Sequence, residues 1–307
     1  MSTVIACIDG SSATPAVCDC AGWASQLLAA PVTLLHVLDQ PQAQGVSDLS
    51  GAIGLGSREL LLQQLAELDE QRSIAAREQG QLLLEAARER VVALGALTVQ
   101  LRQRHGLLVD CLQQLEPQIR LLVMGRHGQQ GDSLGRHIGS QLENVVRTLH
   151  CHILVTVERF TPPTQVMIAF DGSASAQRAV AKVAATPLLA GLPVHLVTVG
   201  TDNPETRRSQ QAALKVLEQA GLAVTPVILA GDVERALRRY KAEQGIDLLV
   251  MGAWGHSRVR QWLVGSTTTA IVWLRRDLRL ADQPAFHAAA QRGPVIPVLV
   301  IDRVDEA

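Results

Sequence analysis

Aromatic side chains are scarce in this chain, at 3% of 307 residues, which argues against a β-sandwich rich in Tyr and Phe. No uninterrupted apolar run is long enough to span a bilayer. The net charge is only −1, so the chain lacks the excess of positive charge that binds nucleic-acid phosphates. We therefore expect neither a membrane span nor a nucleic-acid partner.

Cysteines number five, an odd count, and they lack the paired spacing of a metal site. Cys18 and Cys20 are the only close pair, and on a helix they would point to different sides. The N-terminus has no signal-peptide pattern. We therefore expect reduced thiols, no metal ligands and a cytoplasmic location.

Ala, Leu and Val are abundant, and they are arranged in an internal repeat. Three apolar segments occur twice in the same order: residues 4–12 and 166–174, which contain Asp-Gly-Ser, residues 31–37 and 193–199, and residues 119–125 and 246–252. The copies are 162 residues apart at the first segment and 127 at the third, so the first copy contains an insertion of about 35 residues.

Short β-type runs alternate with helical sequence in both copies, which predicts βαβ units. The fold class we expect is α/β, with two tandem open parallel-sheet, Rossmann-like domains that form a pseudo-dimer. The first domain covers residues 1–158 and the second residues 165–307. Residues 159–164 contain paired prolines and form the linker.

The insertion consists of a Gly-rich loop followed by a long helical stretch at residues 58–94. Its apolar residues recur at helical spacing: Leu61, Leu65, Leu68, Leu82, Leu83, Ala86 and Ala87. This stripe packs either on its own domain, which we favour, or against another subunit.

Glycines follow the third apolar segment of the second copy. Gly252 and Gly255 stand where a strand ends, and a backbone without Cβ can turn sharply there and approach a ligand. Gly265 and Ser266 then open a helix in our interpretation, and helix N-termini bind anions. The pattern predicts a phosphate site, although a Gly-turned loop with a Ser N-cap and no ligand would give the same residues.

The spacing Gly, two residues, Gly, nine residues, Gly-Ser resembles the ATP-binding signature of universal stress proteins. The resemblance covers both copies and implies an adenine-nucleotide alpha hydrolase-like sheet of five parallel strands, frequent dimers, and binding of ATP or a related nucleotide, with or without Mg, with little turnover. It also implies roles for particular residues of the second copy. Asp171 would contact adenosine, Val199 the base, Gly252 and Gly255 ribose and phosphate, and Gly265, Ser266 and Thr267 the phosphates. His256 follows the glycines and either faces the phosphates or is a solvated loop residue.

The first copy departs from this spacing, because ten residues separate its second glycine from Gly-Ser. Its corresponding residues are Asp9, Val37, Gly125, Gly128, Gly139 and Ser140. We therefore expect the nucleotide to bind mainly in the second copy.

The resemblance implies a stress-response protein with a regulatory role. No Lys follows the glycines as in a P-loop, and no paired carboxylates can be recognised from spacing, so we expect a slow ATPase at most. A nucleotide-free interaction or scaffold protein is the alternative.

The C-terminus breaks the repeat. Residues 271–302 are similar to the N-terminal start of DNA photolyases and cryptochromes, without the helical flavin domain of that family. Two outcomes compete. In the one we favour, Ser266 to about Leu274 form the last helix and residues 295–301 the last strand; in the other, residues 271–274 are themselves a strand.

Overall fold

The computed structural model describes residues 2–38, 55–96, 98–126, 140–252 and 269–273. Residues 1–275 form one compact unit. The first half contains β1 (Thr3–Cys7), α1 (Thr14–Leu28), β2 (Val32–Leu38), α2 (Leu55–Ala93), β3 (Val99–His105), α3 (Leu108–Leu115), β4 (Ile119–Gly125), α4 (Ser140–Thr148) and β5 (His152–Thr156). The second half contains β6 (Val166–Ala169), α5 (Ala174–Ala185), β7 (Val194–Val199), α6 (Pro204–Gln219), β8 (Val224–Leu229), α7 (Val233–Gln244), β9 (Leu248–Gly252) and β10 (Thr269–Trp273).

All ten strands belong to one sheet, in the order β3-β2-β1-β4-β5-β10-β9-β6-β7-β8. Within each half the five strands are parallel and follow the same order. The halves meet where β5 and β10 pair antiparallel, with Ala270 opposite Val155 and Trp273 opposite His152. This arrangement confirms the predicted tandem α/β fold and its pseudo-dimer.

Helices cover both faces of the sheet, because strands buried on both sides need apolar partners on each. Residues of α1, α2, α5 and α6 pack on one face, in a core that runs through both halves. Residues of α3, α4 and α7 pack on the other face. In the described part of the second half, α7 is the only helix on that second face.

Helix α2 packs on the first half only toward its C-terminal end. Leu84, Ala87 and Val91 are buried in the core. By contrast Leu68 is 49% exposed, Leu82 is 72% exposed and Ala86 is also exposed, so the prediction that their stripe packs on its own domain is wrong for these three residues. The helix lies close to β2 at Gly80, where an added Cβ would come within 2.6 Å of the His36 ring. Neither α2 nor another helix in the described part of the chain is both long and apolar enough to cross a membrane.

Strand β10 corrects the favoured prediction for the C-terminus. Thr269–Trp273 is a strand, so a helix from Ser266 to about Leu274 is wrong over these residues. It pairs with β9 on one side and β5 on the other, and therefore fills the last strand position that we assigned to residues 295–301. The β-branched and aromatic residues of this segment favour a strand. The edges of β5 and β9 would lack a partner without it, so β10 pairs with both. Residues 295–301 lie outside the described residues.

Candidate functional site

The Asp-Gly-Ser turn follows the first strand of each half and has the same geometry in both. Asp9 Oδ1 accepts hydrogen bonds from Ser11 N at 3.0 Å, Ser11 Oγ at 2.7 Å and Thr14 Oγ1 at 3.2 Å. Asp171 Oδ1 accepts one from Ser173 N at 2.9 Å. The intervening glycines have φ values of 75° and 76°, a conformation that glycine adopts without strain. Each carboxylate thus fixes the turn that carries the chain into the following helix.

Ser173 begins helix α5 directly after this turn. Its Oγ accepts a hydrogen bond from Ala176 N at 3.2 Å and lies 2.9 Å from Ser175 Oγ. The cap satisfies one of the free N–H groups of the first turn. The remaining N–H groups of α5 leave a positive helix end beside Asp171.

Gly252 lies at the end of β9, and the absence of its side chain has a structural reason. An added Cβ would come within 3.0 Å of the Ser175 carbonyl carbon and 3.1 Å of Ala176 N. Only glycine therefore lets the end of β9 approach the first turn of α5 this closely. This contact brings the ends of two neighbouring strands, β6 and β9, together with a helix N-terminus.

Val199 is the last residue of β7 and directly precedes Gly200, which lines a cavity of about 430 Å³. The cavity lies where β7 and β8 end and is lined by Gly200, Thr201, Asp202, Ile228, Ala230 and Gly231. Asp202 lies on its wall and forms a bidentate ion pair with Arg207, with both N–O distances at 2.6 Å. This hydrogen-bonded pair holds the pKa of Asp202 below its usual value.

Sequence reasoning pointed to Val199, which is next in the chain to one wall of this cavity, but not to the opposite wall. That wall comes from the turn after β8, where the sequence Leu-Ala-Gly-Asp ends a strand and starts α7. Gly231 has a φ of 108° and Asp232 caps α7 by accepting from Arg235 N at 3.2 Å. A Gly-Asp pair between a β-run and a helix is a turn signal that would have found it.

In the first half, Val37 lies in β2 and Gly125 ends β4. Arg126 N continues the sheet by donating to Thr156 O at 2.8 Å. Helix α4 begins at Ser140. Gly128 and Gly139 lie outside the described residues.

In the second half, Gly255, His256, Gly265, Ser266 and Thr267 all lie outside the described residues. Strand β10 begins at Thr269, whereas the first half has a nine-residue helix at the corresponding place. The helix that we expected from Ser266 to about Leu274 is therefore wrong over residues 269–273.

The titratable groups near the strand ends do not form a metal site or a reactive thiol within the described ranges. No group of three His, Cys, Asp or Glu residues could hold a metal ion there. Burial raises the pKa of Cys18 to about 12, and that of Cys20 is also raised by burial. These thiols therefore stay protonated and unreactive at neutral pH.

The repeated five-stranded halves, the Asp-Gly-Ser turns and the strand-end glycines define a tandem doubly wound α/β protein. The family model for universal stress proteins matches residues 1–156 and 200–274. The chain is 36% identical over 276 residues to universal stress protein Slr1230 of Synechocystis sp., covering 89% of this chain and 96% of that protein. The chain therefore belongs to the universal stress protein family.

Two solved structures share the fold over almost the whole chain. A universal stress protein from Archaeoglobus fulgidus superposes with a TM-score of 0.60 at 16% identity, covering 90% of this chain and 97% of that one. Protein PA1789 from Pseudomonas aeruginosa, of unknown function, gives a TM-score of 0.56 at 13% identity, with coverages of 95% and 98%.

The C-terminus matches a second family. The family model for DNA photolyase covers residues 270–307, as the sequence resemblance indicated. Four residues of β10 fall inside this match. Because the match to universal stress proteins extends to residue 274, these four residues lie where the two family matches overlap.

Proposed function

We propose that the chain binds ATP or a related adenine nucleotide, with or without Mg, and acts in a stress response as a regulatory rather than a strongly catalytic protein. The observation that carries this proposal is the convergence, in both halves, of an Asp-Gly-Ser turn and a strand-end glycine at neighbouring strand ends. Open α/β sheets bind ligands at the carboxyl ends of their strands.

The first half is the stronger candidate for binding phosphates. Its Gly-rich segment leads from β4 into helix α4, whose N-terminus begins at Ser140. The positive end of a helix binds phosphate, and the first half has this element after its glycines. We therefore revise the sequence-based preference for the second half, which rested partly on a helix at Ser266.

The second half remains a candidate for two reasons. Its glycine spacing fits the family signature, and Val199 directly precedes Gly200, which lines the cavity of about 430 Å³ at the ends of β7 and β8. A cavity of this size could take an adenine base, while Gly252 and the N-terminus of α5 would face the ribose side.

Two matched variants test where the nucleotide binds. Titration calorimetry with ATP on Gly128→Val and Gly255→Val compares equivalent glycines of the two copies. We expect Gly128→Val to weaken binding at least about tenfold and Gly255→Val to have a smaller effect. The reverse result would move the site to the second half, and thermal melts of both variants separate loss of binding from loss of folding.

A nucleotide-free interaction protein is the alternative function, and a slow ATPase is a second one. Mass spectrometry of small molecules released from the purified, denatured protein decides between binding and the nucleotide-free role. Release of inorganic phosphate from ATP, measured over hours, would reveal turnover. Absence of both a bound nucleotide and any calorimetric signal would contradict our proposal.

We also propose a cytoplasmic location. The five cysteines are free thiols, as is usual for proteins of a reducing compartment. Fractionation of cells that express the tagged chain would test this proposal.

A further inference from the structure

Strand β3 lies at one edge of the sheet, and its backbone is open to a further strand. In the described part of the chain only β2 pairs with it, along its whole length. Val32 N donates to Thr98 O, so every second residue counted from Thr98 directs its backbone groups toward β2. The backbone N–H and C=O groups of Leu101 and Gln103 therefore point outward. A row of such groups is a template for pairing with another chain.

The opposite edge of the sheet, strand β8, lacks one of these donors. The register of β3 with β2 and that of β8 with β7 make Leu101 the counterpart of Pro226. Proline has no N–H, and it occurs in edge strands where no partner strand is bound. The first half thus offers a backbone donor at a position where the second half has none.

The open edge has two arginines at positions that are apolar in the other half. Arg102 corresponds to Val227 of β8, which packs against the core. Arg104 corresponds to Leu229, which packs there as well. The repeated fold therefore does not require cations at these positions.

Both guanidinium groups are available to a carboxylate. Their side chains are half-buried. Arg104 Nη1 donates to Gln114 Oε1 at 2.8 Å, a neutral acceptor that holds the guanidinium beside α3. Within the described ranges, neither Arg102 nor Arg104 forms an ion pair.

The side chains of β3 indicate which strand would fit. Arg102 and Arg104 are two residues apart, so they lie on the same face of the strand. Opposite charges at facing positions of neighbouring strands stabilise the pair. On the other face, Val99 and Leu101 pack against the core and remain partly exposed. An incoming strand with alternating acidic and apolar residues would complement both faces.

A second copy of β3 is a poor partner for the same reason. In an antiparallel pair over all seven residues of β3, Arg102 would lie opposite Arg102 of the second copy. Like charges at directly opposite positions are destabilising. We propose that the outer edge of β3 binds an extended acidic segment of another protein by strand addition, with carboxylates of that segment paired to Arg102 and Arg104.

Fluorescence anisotropy of a labelled peptide, titrated with the full chain, tests the proposal. The probe is a peptide of alternating valine and glutamate with the length of β3 and blocked ends, and the same peptide with lysine in place of glutamate is its control. We expect the acidic peptide to bind with a dissociation constant below about 1 mM, and more weakly at high salt. The basic peptide should bind at least about tenfold more weakly.

Two variants that copy β8 onto β3 separate the contributions of charge and backbone. Arg102→Val with Arg104→Leu removes the cations, and Leu101→Pro removes an outward N–H. Each should weaken binding of the acidic peptide at least about tenfold. The fold should tolerate both changes, because β8 has the same residues at these positions. Arg238→Val with Arg239→Leu on α7 is the matched control for charge and should bind like the wild type.

Hydrogen exchange of the full chain locates the contact. The amides of Leu101 and Gln103 should exchange more slowly when the acidic peptide is present, and those of β8 should not change. Failure of the acidic peptide to bind would overturn the proposal, as would equal binding of the basic peptide. Unchanged affinity in the arginine double variant, or protection of β8 in place of β3, would contradict it as well. The arginine variant keeps this test independent of any effect of proline on folding.

Discussion

The ring of Trp23 packs against the ring of Phe160, with 5.5 Å between the centroids and a tilt of 52°. Trp23 belongs to α1 of the first half and Phe160 to the linker that leads into the second half. Aromatic pairs of this geometry are stabilised beyond their buried area. The linker, which its prolines marked as a stiff joint, is therefore also anchored to the first half.

Loss of this ring contact should lower the stability of the whole unit. We expect Phe160→Leu, which keeps an apolar side chain but removes the ring, to reduce the free energy of unfolding by about 1 kcal/mol. Urea denaturation followed by Trp fluorescence and by circular dichroism measures this change. Phe160→Tyr is the control, because it retains the ring and should change little; equal effects of the two variants would contradict the role of the ring.

Asp247 fixes the other end of the linker. Its carboxylate accepts from Thr164 N at 2.9 Å, Thr164 Oγ1 at 2.8 Å and Gln165 N at 3.1 Å, and so ties the start of β6 to the start of β9. We expect Asp247→Ala to destabilise the protein by about 1 kcal/mol, since it removes the hydrogen bond to the partly buried Gln165 N together with those to the exposed Thr164.

Asp202→Ala is the matched control for Asp247. Asp202 also accepts several bonds, but from the exposed Arg207, and solvated ion pairs of this kind contribute little. Thermal melts of the two variants should therefore differ clearly. If both variants melted like the wild type, the anchoring role of Asp247 would be wrong.

The sequence predicted most of the fold because its signals are local and occur twice. Asp-Gly-Ser after an apolar run requires a strand, a turn with positive φ and a helix, and the structure has them at Asp9 and Asp171. The turn glycines and the apolar β-runs are sufficient for this prediction. Neither depends on what the rest of the chain does.

The two errors concern features that depend on distant parts of the chain. The run from Thr269 to Trp273 is short enough for either a helix or a strand, and the open position between β5 and β9 decides in favour of a strand. On α2, Leu82 and Leu84 are equally apolar, but only Leu84 is buried, in a helix whose Gly80 lies close to the His36 ring of β2. Neither neighbour is visible in the local sequence.

The central position of β10 makes its backbone sensitive to proline. β10 pairs on both sides, and proline lacks the N–H that such a strand donates. We expect Ile271→Pro to lower the free energy of unfolding by about 3 kcal/mol or more.

Ile228→Pro in the edge strand β8 is the matched control. Val194 N donates to Ala223 O and Gly200 N donates to Leu229 O, so every second residue of β8, counted from Ala223, directs its backbone groups toward β7. The backbone N–H of Ile228 therefore points away from β7, as does the backbone nitrogen of the natural Pro226. This variant should therefore be tolerated much better. Hydrogen exchange of the β9 amides, compared between the two variants, would reveal whether β10 stabilises the centre of the sheet; unchanged exchange in Ile271→Pro would contradict this.

The junction of the two halves should weaken in acid, because it contains His152. This residue begins β5 opposite Trp273 of β10, and burial lowers its pKa to about 4, with a smaller contribution from Lys182 of α5. In the unfolded chain its pKa is near 6.5, so between these values the unfolded state binds the proton and the folded state does not. The contribution of His152 to the free energy of unfolding is therefore fully present above about pH 6.5, and about 2 kcal/mol of it is lost as the pH drops toward 4.

Three variants test this assignment. We expect His152→Gln to remove this part of the pH dependence of stability. Lys182→Met should raise the pKa of His152 and so reduce the pH dependence, whereas Lys215→Met on α6 should leave the pH dependence unchanged. Urea denaturation of the four proteins between pH 4 and 7 measures the differences, and identical slopes for wild type and His152→Gln would refute the assignment.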